Sequence, residues 1–155
     1  MNCFDRNTEI FHNIQYRSGG SNNLNTNEIK SIAEDKARNI WVATRNDGLF
    51  KITLNHKNIY AASYKQYIHE EDNSKSISSN NTTSLFLDSK GILWVGTENG
   101  LNQFDFTSGS FTYFRFQVKN SRAPSSQYDQ SVNAIKKKKN GTFWIGTVSG
   151  LVMFD

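Results

Sequence analysis

One unit of about 50 residues recurs three times along this chain and limits the folds it can adopt. The stretches are NIWVATRNDGLFKI at 39–52, GILWVGTENGLNQFD at 91–105 and TFWIGTVSGLVMFD at 142–155. Each holds one of the three tryptophans of the 155-residue sequence, which are 53 and 50 residues apart. Repetition at this spacing indicates a stack of similar modules, each burying its apolar face against its neighbours.

The units align over more than the tryptophan. A threonine follows it by three residues in each unit, and a turn ending in glycine and leucine comes next. The constant positions are Trp41, Trp94 and Trp144; Thr44, Thr97 and Thr147; and Gly48, Gly100 and Gly150. We expect these residues to pack and to fix the geometry of each unit, because a stretch repeated within one chain is more typical of a building unit than of an active site.

The segments between turns are short and rich in β-branched and aromatic residues, which predicts strands joined by hairpin turns. In the second unit we expect strands at 82–87, 92–97, 101–105 and 110–116. The second of these, ILWVGT, is apolar on both faces, a pattern typical of a strand covered on both sides. Four short strands per unit, with a sheet on either side, predict the blades of a β-propeller.

The sequence therefore predicts an all-β propeller segment of about three four-stranded antiparallel blades within a single domain, 1–155. Residues 1–14 are assigned to the end of a preceding blade, because CFDRNTEIFHNI at 3–14 parallels QFDFTSGSFTYF at 103–114. Blades are expected at 28–68 and 82–116, and 132–155 supplies three strands of a further blade. Twelve strands are expected in total, which amounts to three blades.

With the units aligned, the chain resembles the two-component regulator propeller repeat, which reads approximately I-x-x-I-x-x-D-x-x-G-x-x-W-I-G-T-x-x-G-L-x-x-F/Y. The matching stretches are IKSIAEDKARNIWVATRNDGLFKI, TTSLFLDSKGILWVGTENGLNQFD and VNAIKKKKNGTFWIGTVSGLVMFD. The departures are Arg38 and Ala43 where the pattern has glycine, Thr82 where it has an apolar residue, and Lys138 where the other units have Asp35 and Asp88.

The resemblance implies a seven-bladed propeller in the extracytoplasmic input region of a hybrid sensor histidine kinase, of bacteria that sense products of polysaccharide breakdown. We therefore predict a non-catalytic sensor or ligand-recognition segment in the periplasm, with an oligosaccharide as its ligand; kinase activity would lie in regions absent from this chain. No signal peptide or membrane span is expected in the chain, which leaves the cytoplasm open. A protein-interaction scaffold and a propeller lyase are the alternatives.

In a propeller, the turns between second and third strands emerge on the same face as the connectors between blades. The predicted ligand-face residues are therefore Arg45, Asn46, Asp47, Glu98, Asn99 and Ser149. The connectors at 15–27, 69–81 and 117–131 are rich in asparagine and serine. Such side chains can bond to sugar hydroxyls, but they are also ordinary components of solvated linkers.

No catalytic residue, cofactor or metal site is predicted. The histidines, His12, His56 and His69, are isolated from cysteines and paired carboxylates, and the acidic cluster at 70–72 is interpreted as surface. The net charge of +4 is concentrated in the lysine run at 136–139. We interpret this run as a solvated turn between first and second strands and expect no nucleic-acid partner, since no second basic cluster accompanies it.

Three blades cannot close a ring, and an open arc leaves two blade faces and strand edges in water. We predict that the chain self-associates, with residues 10–14 of one copy supplying the fourth strand after Asp155 of another, so that two chains form a ring of six blades. Completion by the missing blades of a longer parent protein is the competing expectation.

Overall fold

The computed structural model of the chain describes residues 2–6, 8–13, 28–55, 58–116, 130–138 and 141–154. These residues form thirteen β-strands in four antiparallel sheets. No helix long and apolar enough to cross a membrane is found in this part of the chain. The predicted all-β class is confirmed.

The strands pair in the order in which they follow one another along the chain. The first blade consists of β3 (Ile29–Glu34), β4 (Ile40–Thr44), β5 (Leu49–Asn55) and β6 (Asn58–Tyr67). The second blade consists of β7 (Thr82–Leu87), β8 (Leu93–Thr97), β9 (Gly100–Asp105) and β10 (Ser110–Phe114). The third blade has β11 (Val132–Lys137), β12 (Phe143–Thr147) and β13 (Gly150–Phe154). The sheets form an open arc of propeller blades, as predicted.

A hairpin precedes the first blade. It joins β1 (Asn2–Asp5) to β2 (Ile10–Asn13), and its register places Phe4 opposite Phe11. The second blade has the same register in its outer two strands, where Phe104 lies opposite Phe111. The described residues contain one strand more than the predicted twelve, because residues 2–5 are long enough to pair with β2.

The second blade is covered on both faces, as the apolar pattern of β8 predicts. Side chains alternate along a strand, so Leu93 and Val95 point to one face and Trp94 to the other. Leu93 and Val95 belong to the apolar cluster shared with the first blade, and Trp94 belongs to the cluster shared with the third. The apolar core of this fold therefore lies between the blades.

The tryptophan of one blade packs on aromatic residues of the next. The ring of Trp41 lies 4.8 Å from that of Phe104 in the second blade, measured between centroids. The ring of Trp94 lies 4.6 Å from that of Phe143 in the third blade. The two interfaces thus have the same construction, which fixes the order and spacing of the blades.

A glycine allows the second and third blades to approach closely. A Cβ atom placed on Gly96 would lie 2.6 Å from Cγ1 of Val132 and 2.3 Å from Oγ of Ser84. The equivalent Gly146 lies on the far side of the third blade, where the nearest atom to an added Cβ would be that of Ala134, at 3.5 Å. The close approach is therefore specific to the covered interface.

Replacing Gly96 with alanine is expected to destabilise the chain, because the added methyl group must displace Val132 or Ser84. Overpacking of this kind typically costs about 1–3 kcal/mol. Gly146→Ala makes the same chemical change where there is room, and it should lower the free energy of unfolding far less. Urea unfolding of both variants at low protein concentration measures the difference, and equal losses would contradict the packing argument.

Candidate ligand site beside the second blade

The turn between second and third strands is closed by the same hydrogen bond in all three blades. Oγ1 of Thr44, Thr97 and Thr147 donates to the carbonyl oxygens of Gly48, Gly100 and Gly150, at 2.7, 3.1 and 3.0 Å. The threonine hydroxyl is therefore already hydrogen-bonded within its own blade. The residues between it and the glycine differ from unit to unit, so this hydrogen bond does not determine their identity.

An acidic side chain supports both the turn and the tryptophan in the first blade. Asp35 Oδ1 accepts the backbone N–H of Ala37 and Asn39, both at 2.9 Å. Its Oδ2 accepts Nε1–H of Trp41 at 2.8 Å. The bond to the indole requires the ring to lie back over the turn, which the sequence alone does not indicate.

The equivalent acid in the second blade has a partner in the third blade. Nζ of Lys137 lies 2.8 Å from Oδ2 of Asp88, whose side chain is fully buried. The lysine run is therefore not only a solvated turn: Lys136 and Lys137 belong to β11, and Lys137 ties two blades together. The interpretation as a turn is wrong for these two residues, because the strand extends further than the charge pattern indicates.

The predicted ligand-face residues lie on the turns that join second and third strands, and two of them interact across blades. Arg45 is exposed, bonds to Glu28 Oε2 at 2.9 Å and interacts electrostatically with Glu98 of the second blade. Asn46 and Ser149 are exposed on the first and third blades. The backbone carbonyl of Asp47 accepts the Gln66 amide at 2.8 Å. These contacts form a polar surface and no enclosed site.

The connector at 69–81 is anchored between the first two blades. Ile77 is fully buried in their shared core. Ser78 donates its N–H to Asn102 Oδ1 at 3.0 Å, and its Oγ bonds to Thr97 Oγ1 at 2.8 Å. This segment is therefore held in place against the second blade. Residues 15–27 and 117–129 of the other two connectors lie outside the described residues.

A cavity of about 120 Å³ lies between this connector and the second blade. It is lined by His69, Glu70, Glu71, Asn73, Ser74, Ser76, Ile77, Ser78, Asn99 and Tyr113. Two of its buried polar atoms, Asn99 Oδ1 and Tyr113 OH, have no hydrogen-bond partner among the described residues. The cavity therefore presents hydrogen-bonding groups that the fold itself does not use.

The orientation of both groups is set by their neighbours. Asn99 Nδ2 donates to the Ser78 carbonyl at 3.2 Å, which fixes the amide and leaves Oδ1 as the acceptor in the cavity. A Cβ on Gly100 would lie 2.6 Å from Cε2 of Tyr113, so the ring lies directly on this turn. His69 Nδ1 lies 2.8 Å from the Ile77 carbonyl, which can only accept, so Nε2 is the acceptor nitrogen of the neutral ring.

Of the predicted site residues, the structure places Asn99 at this cavity. Tyr113 was not predicted, because nothing in the sequence indicates that the connector folds over this residue of the fourth strand. Asn99 could be predicted because its position varies between otherwise similar units: it holds Asp47 in the first unit and Ser149 in the third. Elsewhere in the described residues, no group of three histidine, cysteine or acidic side chains has the geometry of a metal site.

Together, the blade order, the tryptophan interfaces and the threonine-closed turns define the chain as a segment of a β-propeller. The family model of the two component regulator propeller matches residues 23–46 and 76–99. Two stretches of the chain therefore match the repeat of the two component regulator propeller, and the resemblance seen in the sequence is confirmed. No curated protein matches the sequence of the chain.

Solved structures share the fold at low sequence identity. The extracellular domains of two hybrid two component systems from B. thetaiotaomicron match with TM-scores of 0.70 and 0.64, both at 22% identity, over 94% and 83% of this chain. A virginiamycin B lyase from Staphylococcus aureus matches with a TM-score of 0.60 at 15% identity, over 99% of this chain. The chain spans 19%, 16% and 47% of the three proteins, respectively.

The carboxylate beneath Trp41 makes stability depend on pH. Burial acts to raise the pKa of Asp35, but hydrogen bonds from Trp41, Asn39 and Ala37 outweigh it and hold that pKa below its ordinary value. A group with a depressed folded-state pKa contributes stability above its unfolded pKa, about 3.9 for aspartate, and loses it as the pH falls through the folded value. We expect the free energy of unfolding to fall below about pH 4, and to fall less in Asp35→Asn.

Urea unfolding of both proteins between neutral and acidic pH measures this difference. Asp72→Asn, on the exposed part of the connector, is the matched control and should keep the wild-type slope. Parallel curves for Asp35→Asn and the wild type would show that the indole–carboxylate contact does not govern acid stability.

Proposed function

We propose that this propeller segment is a non-catalytic recognition module that binds a neutral, hydroxyl-bearing ligand at the cavity between the connector at 69–81 and the second blade. The observation that carries the proposal is the pair of buried polar atoms there, Asn99 Oδ1 and Tyr113 OH, without partners among the described residues. Leaving such an atom unsatisfied typically costs about 1–3 kcal/mol. A ligand hydroxyl that reaches both atoms would recover that free energy on binding.

The chemistry of the lining favours a ligand that donates hydrogen bonds. Asn99 Oδ1 can only accept, and Tyr113 OH can donate or accept. The carboxylates of Glu70 and Glu71 at the connector add further acceptors. A carbohydrate fits this set, because each of its hydroxyls donates one hydrogen bond and accepts others, whereas an anionic ligand would be repelled.

The volume of the cavity limits what it can admit. At about 120 Å³ the cavity is smaller than the roughly 300–1,000 Å³ of pockets that enclose a whole small-molecule ligand. This space suits one hydroxylated edge of a sugar ring. An oligosaccharide would therefore place a terminal unit in the cavity and extend along the exposed connector.

The likeness to extracellular domains of hybrid two component systems supports a sensory role and a periplasmic setting for this segment. In that setting the ligand would be the signal, and the output would lie in regions outside this chain. The likeness to a lyase concerns the fold alone at 15% identity, and it gives no ground for a lyase reaction here. A scaffold function has no particular contact among the described residues in its favour.

This chain spans only part of each protein compared with it, which supports the expectation that the segment acts within a larger ring. Further blades would come either from a longer parent protein or from a second copy of the chain. The ligand proposal holds in either case, because every residue of the cavity belongs to the second blade and the connector before it.

The ligand proposal is tested by removing one hydroxyl. Tyr113→Phe deletes a hydroxyl that has no hydrogen-bond partner among the described residues, so the free energy of unfolding without ligand should change little. In the wild type, maltotriose, cellotriose or chitotriose at about ten times its Kd should add about 1.4 kcal/mol of stability. Tyr113→Phe and Asn99→Leu should lose most of this increment, as measured by thermal unfolding with and without each sugar.

The control is Thr112→Ala, an exposed neighbour of Tyr113 on β10, which should retain the full response. The proposal is wrong if none of the sugars raises the Tm of the wild type. It is also wrong if Tyr113→Phe responds to the sugar as the wild type does.

A further inference from the structure

A second cavity borders the same connector, between the fourth strands of the first two blades. It is lined by residues 65–68 at the end of β6, by part of the connector at 70–76 and by residues 109–111 where β10 begins. Its volume is about 370 Å³. Pockets that enclose a small-molecule ligand measure roughly 300–1,000 Å³, so this second cavity is large enough to hold one.

Two lysines line the second cavity, and neither has an ion-pair partner among the residues that the structure describes. These are Lys65 on β6 and Lys75 on the connector, and both are exposed. Glu70 is the acidic residue of the lining, and its carboxylate accepts the side-chain amide of Asn73 at 2.7 Å. The lining therefore carries more positive than negative charge.

A third lysine adds positive charge beside the second cavity. Lys51 on β5 lies directly opposite Lys65 on β6, and Trp41 on β4 lies directly opposite Lys51. Both lysines therefore share the face of Trp41, which packs on the second blade. Like charges directly opposite each other on neighbouring strands destabilise a sheet. No acidic side chain of the described residues forms an ion pair with Lys51 either, so the repulsion is not balanced by a counter-charge.

Aromatic rings hold two of these ammonium groups in place. Nζ of Lys51 lies 5.8 Å from the centroid of the Trp41 ring, and Nζ of Lys65 lies 4.9 Å from that of Tyr67. A Cβ placed on Gly109 would lie 3.8 Å from Nζ of Lys65, so this ammonium reaches the turn of the second blade. A ring attracts a cation but carries no net negative charge. An anion at the second cavity would supply the charge that the described residues do not.

We propose that the second cavity binds a small organic acid, whose carboxylate pairs with Lys65 and Lys75 and whose body lies against Ile68. An organic body is favoured because Ile68 is 46% exposed and gives the lining an apolar wall. The position of Lys75 is fixed by the backbone on either side of its side chain. Its N–H donates to Asn73 Oδ1 at 3.0 Å, and its carbonyl oxygen accepts the N–H of Phe111 at 2.9 Å.

The two cavities select different ligands although both are lined by Glu70, Asn73 and Ser76. The described lining of the first cavity adds Glu71 and no lysine, so it favours a neutral ligand. The lining of the second adds two lysines and therefore favours an anion. The inference does not depend on the ligand proposal, since each site has its own ligand.

Isothermal titration of the full chain with benzoate and with glucuronate tests the proposal, with benzamide and glucose as the neutral counterparts. At least one acid should bind, and its neutral counterpart should bind at least about tenfold more weakly because it forms no ion pair. Lys65→Gln and Lys75→Gln should each raise the dissociation constant about fivefold, as expected for the loss of one exposed ion pair. Preference for benzoate would identify an aromatic acid as the ligand, and preference for glucuronate a sugar acid.

Lys90→Gln is the control, because it removes the same charge from an exposed turn of the second blade and should bind the acid as the wild type does. Circular dichroism verifies that each variant is folded. The proposal is overturned if neither acid binds, or if Lys65→Gln and Lys75→Gln bind as tightly as Lys90→Gln. Inorganic phosphate that binds as tightly as both acids would also overturn it, since the apolar wall would then play no part.

The two proposals are tested separately. Tyr113→Phe should leave the binding of the acid unchanged, because Tyr113 lines the first cavity and not the second. Added salt should weaken binding of the acid, because exposed charges are screened, and should have little effect on a neutral sugar.

Discussion

The contact on which the structure depends is the packing of each tryptophan on the blade that follows it. Trp41 meets Phe104, and Trp94 meets Phe143, at centroid distances below 5 Å. Because the apolar residues of β8 are divided between two interfaces, no blade has a complete core of its own. The blades therefore stabilise one another, and the free energy of folding is a property of neighbouring pairs, as in other repeat proteins.

The residue six positions before the tryptophan links the turn, the ring and the next blade. In the first blade Asp35 holds the turn amides and the indole. In the second, burial acts to raise the pKa of Asp88, but Lys137 of the next blade, the Ile92 N–H and Trp94 lower it below its ordinary value. In the third, lysine replaces the acid, and the indole N–H of Trp144 has no hydrogen-bond partner among the described residues. The contacts of the residue six positions before the tryptophan therefore differ from blade to blade.

Strand positions and blade order could be predicted because both follow from the repeat. The spacing of the tryptophans predicts the length of the repeated unit, and the glycine turns predict where its strands end. The apolar residues on both faces of β8 predict that the sheet is covered on both sides. The ion pair of Lys137 with Asp88 could not be predicted in the same way, because it joins residues 49 positions apart whose meeting depends on the twist between two sheets. The same limit applies to Tyr113, which becomes part of a cavity only because the connector folds over the second blade.

The positions that differ between units are the ones available for function. Thr97 closes its turn as Thr44 and Thr147 do, so substitution there would damage the blade whatever the ligand. The neighbouring Asn99 corresponds to Asp47 and Ser149, so the blade architecture does not require an asparagine at that position. Its amide is nevertheless fixed by the Ser78 carbonyl, and its oxygen lines the cavity. The repeated blade thus holds a variable polar group in a fixed orientation before any ligand arrives. Little further ordering of that side chain is needed on binding, which lowers the entropic cost of recognition.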